Sequence, residues 1–244
     1  MIKFFRRIRQ NLLNEGKTTK YFKYAIGEIV LVVLGILIAL SINNWNDARK
    51  DRITEKELYR TLIKSLESDL EDVRTKSMIL DTALTAQRIF ITESLAEVKS
   101  KFTDEEIYRM IWQVGNTSYS FVPNVSLYTK ISQNQQIDLI QSDSLQKKVI
   151  DLFEVHYWEY KDLDMTLERL AQEGLISNFF GDIAHLVIKN QWETDDATLQ
   201  KQYDELNKDC RKIYFLSMSV KKSMLNCESS IEALLPLLKD ELIK

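Results

Sequence analysis

The nineteen residues from Tyr24 to Ile42 carry no charge except Glu28. As an α-helix rising about 1.5 Å per residue, such a run spans roughly 28 Å, the thickness of a bilayer's hydrocarbon core. Between Gly35 and Gly115 the chain then has neither glycine nor proline. These two residues are the main breakers of regular structure, so the gap predicts that helix continues far beyond the apolar run. Together the two features restrict the chain to an all-α fold with a transmembrane helix near its N-terminus and long helices after it.

Charge sharpens this division. Residues 1–42 hold seven basic side chains (Lys3, Arg6, Arg7, Arg9, Lys17, Lys20 and Lys23) against Glu15 and Glu28, a balance of +5. Of the 33 basic and 36 acidic residues in the chain, 26 and 34 therefore remain for residues 43–244, a balance of −8. An acidic domain without a basic stripe argues against nucleic acid as a partner.

A cleavable signal peptide is the main alternative to an anchor, because Ala39-Leu40-Ser41 has small residues where cleavage occurs. Signal peptides have a shorter apolar region and a shorter charged leader than this one, so the span is expected to stay. Seven basic residues precede it, whereas the five that follow closely (Arg49, Lys50, Arg52, Lys56 and Arg60) alternate with acidic ones. Positive flanks are retained inside, which predicts a cytoplasmic N-terminus and an extracytoplasmic main domain, periplasmic in an inner membrane. Tyr21, Tyr24 and Trp45 stand where interfacial aromatic belts form. Before the span, Ile2, Phe5, Ile8, Leu12 and Leu13 share one helical face with Arg6, Arg7 and Arg9 off it, the pattern of a short helix lying on anionic lipid. The expected layout is a cytoplasmic basic segment at 1–20, the span at 21–45 and an extracytoplasmic helical domain at 46–244.

Two features inside the span are candidate membrane contacts. Glu28 lies about one turn in, where its carboxylate can reach back towards Lys20, Lys23 or the positive helix end; the alternative is a partner contact or a proton-linked site within the membrane. Gly35 and Ala39 form a small-xxx-small pair that lets a second helix approach closely.

The stretch GEIVLVVLGILIALSINNWN, residues 27–46, resembles the signature of a family of bacterial single-span membrane proteins of unknown function, with a G-E-I start and an I-N-N-W-N end. A looser likeness covers FVPNVSLYTKISQNQQIDLIQSDSLQKKVIDLF, where the family's Ser-Gly turn is replaced by Gln133-Asn134. Asn tolerates left-handed backbone almost as glycine does, so a turn at Asn134 is expected. The resemblance implies a helical fold beyond the span and no particular chemistry.

In the outer domain an apolar stripe runs from Leu58 through Leu62, Leu66, Leu70, Val73, Leu80, Leu84, Ile91, Leu95 and Val98, with steps of three, four or seven residues. Thr103-Asp-Glu-Glu106 is a capping box that opens a helix ending near Gly115. Residues 117–125 read as irregular, and Ser142 or Asp143 caps a helix running towards Gly174. A further helix is expected in LISNFFGDIAHLVIKN, and Thr194 caps a last long one. Its stripe from Leu199 to Leu234 includes Cys210 and Cys227, which on one helix are about 25 Å apart, too far for a disulfide. Three long arms joined by short connections make an antiparallel bundle.

Catalytic signatures are missing. His156 and His185 are the only histidines, no H-E-x-x-H or C-x-x-C occurs, and neither a nucleophile elbow nor a glycine-rich phosphate loop is present. No metal or cofactor is expected. The carboxylates of Asp69/Glu71/Asp72, Asp104/Glu105/Glu106 and Asp195/Asp196 read as solvated faces or partners of helix N-termini. The most site-like cluster is His156, Tyr157, Trp158 and Tyr160, joined by Tyr119 and Phe121. Aromatic groups with polar tips suit a ligand pocket between helices, and equally an ordinary bundle core. The sequence thus points away from an enzyme. It points towards a membrane-anchored envelope protein that binds another envelope protein or itself, with a small-ligand sensor as the alternative.

Overall fold

A computed structural model describes residues 18–115, 119–176 and 196–243. The basic segment at 1–17, most of the helix expected in 175–190, and the cap at Thr194 lie outside the described residues. All regular structure among them is helical. By chain contacts the protein divides into two compact units, residues 1–54 and 55–244.

Helix α1 runs without interruption from Thr18 to Thr92, 75 residues. The long helix predicted past Gly35 is therefore observed, but it ends at Thr92, and two shorter helices occupy the rest of the stretch up to Gly115. Within the first unit its apolar side chains from Ile29 to Ile42 are exposed all round. This helix is long and apolar enough to cross a membrane. A helix that is apolar on every side and covered on none is suited to lipid rather than water. Ser41 returns its hydroxyl to the Leu37 carbonyl at 2.8 Å and Asn43 donates to Asp47 at 2.9 Å, so these two polar groups at the end of the apolar run are satisfied locally.

The second unit begins within α1 at Glu55. From there one face of the helix is buried through Leu62, Leu66, Asp69, Val73, Ser77, Leu80, Ala83, Gln87 and Phe90, at the three- and four-residue steps that keep side chains on one side. Two short helices follow, each started by a capping box. Ser94 and Glu97 exchange bonds at the head of α2, Leu95–Lys101, and Thr103 and Glu106 do the same at the head of α3, Asp104–Gly115. The box expected at Thr103 is thus present, and a second one at Ser94 accompanies it.

Helix α4 covers Val125–Gln133 and a 3-10 turn covers Gln136–Leu139. Between them the left-handed residue is Gln135, with φ of 55°, rather than Asn134, whose φ is −87°. The α4 helix holds Asn134 in place by the bond of its N–H to the Lys130 carbonyl, and the reversal is deferred by one residue. Ser142 caps α5, Asp143–Asp151, as its position suggested. A π turn at Leu152–His156 joins α5 to α6, Tyr157–Ala171, and a second π turn follows at Gln172–Ile176.

Helix α7, Asp196–Ile243, is 48 residues long. Cys210 and Cys227 both lie on it, buried and unpaired, in the stripe that also buries Leu206, Ile213, Val220 and Ile231. Polar contacts fix its register on α1. Tyr203 donates to the Glu93 carbonyl, Gln87 to Ser217, Lys221 to Asp81, and Lys239 to Glu67. Arg74 reaches both Glu228 and Glu232. Numbers rise on one helix as they fall on the other, so α1 and α7 run in opposite directions along this seam. Just before α6 His156 meets Cys227, and beyond its end Gly174 approaches Asp209, so α6 also opposes α7.

Candidate functional site

The connection from Tyr119 to Asn124 is the one long irregular segment among the described residues that lies within the core. Phe121 and Pro123 are buried, and Val122 between them is 77% exposed. Extended backbone with no neighbouring strand must find hydrogen-bond partners among side chains. It finds them on two helices. The Phe121 N–H donates to the Tyr160 hydroxyl at 2.6 Å, the Val122 N–H to Asp72 at 3.3 Å, and the Asn124 N–H to both oxygens of Asp69 at 3.3 Å. Ser120 adds a bond from its hydroxyl to Asp164 at 3.2 Å. Pro123 stands at the one position between Phe121 and Asn124 that has no N–H to satisfy.

Beneath this strap the aromatic rings close together. Phe121 meets the edge of Tyr157 at a centroid distance of 5.7 Å and lies 5.3 Å from Tyr160. Phe153 meets Tyr157 edge-on at 5.1 Å and stacks on Tyr128 at 4.8 Å. The two edge-on contacts are an arrangement that ring quadrupoles favour. The Tyr157 hydroxyl donates to Asp69 at 2.8 Å, linking α6 to α1 under the strap.

Burial sets the charge state of the cluster. It pushes the hydroxyls of Tyr119, Tyr157 and Tyr160 far above the usual phenol range, so each remains a donor at any physiological pH. Burial also raises Asp69, against the opposing bonds from Tyr157 and Asn124, and raises Asp164 to about 6 against the bond from Ser120. Glu168 near Asp164 and Asp72 near Asp69 add like-charge repulsion in the same direction.

Of the residues singled out in the sequence, the structure gathers Tyr119, Phe121, Tyr157 and Tyr160 into one buried cluster. Trp158 points away, 67% exposed. His156 ends the π turn with its Nδ1 buried and without a hydrogen-bond partner among the described residues, and its main-chain carbonyl accepts the Cys227 thiol at 3.5 Å. In the first unit, Glu28 is half-buried and Trp45 exposed, while Gly35 has nothing within 4 Å of where a Cβ would stand. The side chain of Ala39 is exposed.

The reading of Asp69 as part of a solvated face is corrected: it is only 5% exposed. Asp69 occupies a stripe position, four after Ser65 and three after Leu66, and is drawn inward to accept the strap's amide. Asp164 likewise falls between Tyr160 and Leu167 on the buried face of α6. A carboxylate at a core position of an amphipathic stripe was the available signal for both.

No curated protein and no solved structure matches the chain. The model of a family of unknown function, DUF6090, matches residues 28–171. That match takes in the apolar run, the strap, and both helices whose carboxylates and tyrosines hold it. The chain therefore belongs to this family of unknown function, DUF6090.

Proposed function

We propose that the protein is a single-pass, membrane-anchored interaction module of the bacterial cell envelope, with its N-terminus in the cytoplasm and an antiparallel helical bundle in the periplasm. Its role in this reading is to bind another envelope protein or a second copy of itself, with the lipid bilayer as its other partner and no catalysis. The observation that carries the proposal is α1. One unbroken helix contains both an apolar run exposed on all sides and the first stripe of the bundle core. The strap supports the same reading, since its rings fill one another's space and its polar tips are engaged with backbone and carboxylates. The charge bias across Tyr24–Ile42 supports the orientation.

Two measurements test it. Alkaline phosphatase fused after Lys244 is expected to be active, and the same enzyme fused after Lys20 inactive; activity only at the Lys20 junction reverses the orientation. Crosslinking of the full chain in its own membrane is expected to return a stoichiometric protein partner, either another protein or a second copy. Recovery of the uncrosslinked monomer alone, at crosslinker levels that trap a known envelope complex, would overturn the interaction role.

A further inference from the structure

The bundle carries two exposed helical stripes with the same spacing and opposite charge. On α7, Phe215, Met218, Lys222 and Leu225 are exposed at steps of three, four and three, which places them on one face. At the π turn and on α6, Val155, Trp158, Asp162 and Met165 are exposed at the same steps. Phe215 is 77% exposed and Trp158 67%, large apolar surfaces to leave in water. Each stripe has its charge in the third place, Lys222 in one and Asp162 in the other. Neither of these two side chains has an ion pair among the described residues.

Their surroundings repeat the contrast. Residues 211–227 contain Arg211, Lys212, Lys221 and Lys222 and no acidic residue. Residues 151–165 contain Asp151, Glu154, Glu159, Asp162 and Asp164 against Lys161 alone. The basic face is thus a local exception in a region whose balance is −8, and the same chain carries its acidic counterpart. Within one chain α6 and α7 oppose each other, His156 lying beside Cys227 and Gly174 beside Asp209. Asp162 and Lys222 consequently lie at nearly the same height along the bundle, and so do Trp158 and Leu225. Two copies in the same orientation can therefore set the α7 stripe of one against the α6 stripe of the other without a shift along the axis.

We propose that a second copy of this chain is the partner of these two faces, with Lys222 of one copy paired to Asp162 of the other and the apolar residues on either side packed around that pair. This rests on the interaction role proposed above and names its partner. Opposite charges set in an apolar seam fix partner choice and register more than they add affinity.

The test uses full-length chains in liposomes, with association read by energy transfer between labelled copies as lipid density is varied. Asp162→Lys and Lys222→Asp are each expected to weaken association about tenfold or more, and the double variant to restore it to within about threefold. Both sites are exposed, so the variants are expected to fold, as circular dichroism will verify. As a second readout, Asp162→Cys and Lys222→Cys chains carrying different tags are expected to form a disulfide with each other when mixed, and not each with itself. Association unaffected by the single variants, including association held through Gly35 in the span, overturns the proposal. So does failure of the double variant to recover, or wild-type chains that stay monomeric at every density. If monomeric chains still crosslink to a different envelope protein, only the second-copy assignment falls and the interaction role stands.

Discussion

The Tyr157 hydroxyl and the Asp69 carboxylate meet at 2.8 Å although 88 residues separate them. The tyrosine comes from α6, the aspartate from the core face of α1, and the strap's Asn124 amide shares the same carboxylate. Tyr157→Phe keeps the ring contacts with Phe121 and Phe153 and removes only this donor. The expected cost is about 1–3 kcal/mol, because a buried carboxylate then loses its hydroxyl partner. The midpoint of chemical unfolding, followed by circular dichroism in detergent, measures it, and an unchanged midpoint would mean that the bond contributes nothing net.

Phe121→Ala should cost more, about 3–5 kcal/mol, since it empties a ring position packed on both Tyr157 and Tyr160. Val122→Ala, one residue along and exposed, serves as the control and is expected to change stability by no more than about 0.5 kcal/mol.

Acidification should stabilise the bundle through Asp164. Burial raises this carboxyl to about 6 in the folded chain from an ordinary value of 3.8, so the folded state binds the proton more tightly than the unfolded state does. Its contribution is accordingly greatest at low pH and is lost as pH rises through about 6. Asp69 is raised in the same direction. Asp164→Asn is expected to flatten the pH dependence of the melting temperature between about pH 5 and pH 7.5 relative to wild type. An Asp164→Asn curve parallel to the wild-type curve would show that Asp164 does not titrate in that window.

Cys210 and Cys227 are buried, and burial pushes both thiols up to about 12. Alkylation of the folded chain at neutral pH is expected to be slow at both and complete only after denaturation, with mass spectrometry counting two added groups. A peptide joining Cys210 to Cys227 within one non-reduced monomer would contradict the continuous α7.

In the apolar run, Gly35→Ile is expected to leave membrane insertion intact, because beyond the helix's own adjacent backbone no described atom lies within 4 Å of the position a Cβ would take. It should weaken any association of isolated spans in a two-hybrid assay, since a branched side chain keeps helices apart. An unchanged signal would remove the Gly35 face from consideration.

Periodicity made the helices legible in the sequence. The long first helix, the capping box at Thr103, the cap at Ser142 and the shared helix of the two cysteines all follow from local patterns of breakers, caps and apolar steps. The strap was visible only as an interruption between residues 117 and 125. Its fastening depends on Asp69, Asp72, Tyr160 and Asp164, which lie far from it in sequence and are brought near by packing. Tyr157 and Tyr160 pack against Phe121, whereas Trp158, between them in sequence, turns outward because a helix advances about 100° per residue. The left-handed residue at Gln135 in place of Asn134 shows the same limit, since backbone bonds of α4 decide where the turn falls.

The family match ends at residue 171, yet Leu206, Ile213, Val220, Ile231 and Leu238 of α7 are buried in the same core as Leu62, Leu66 and Val73. The stretch matched by the family model is therefore shorter than the stretch that builds the core. A fragment cut at the edge of the matched region would keep the strap and its carboxylates but uncover the seam that α7 occupies, along with Ser77, which accepts from Lys221, and Gln87, which donates to Ser217. Such a fragment, with the apolar stripe of α1 facing solvent, is a poor subject for purification.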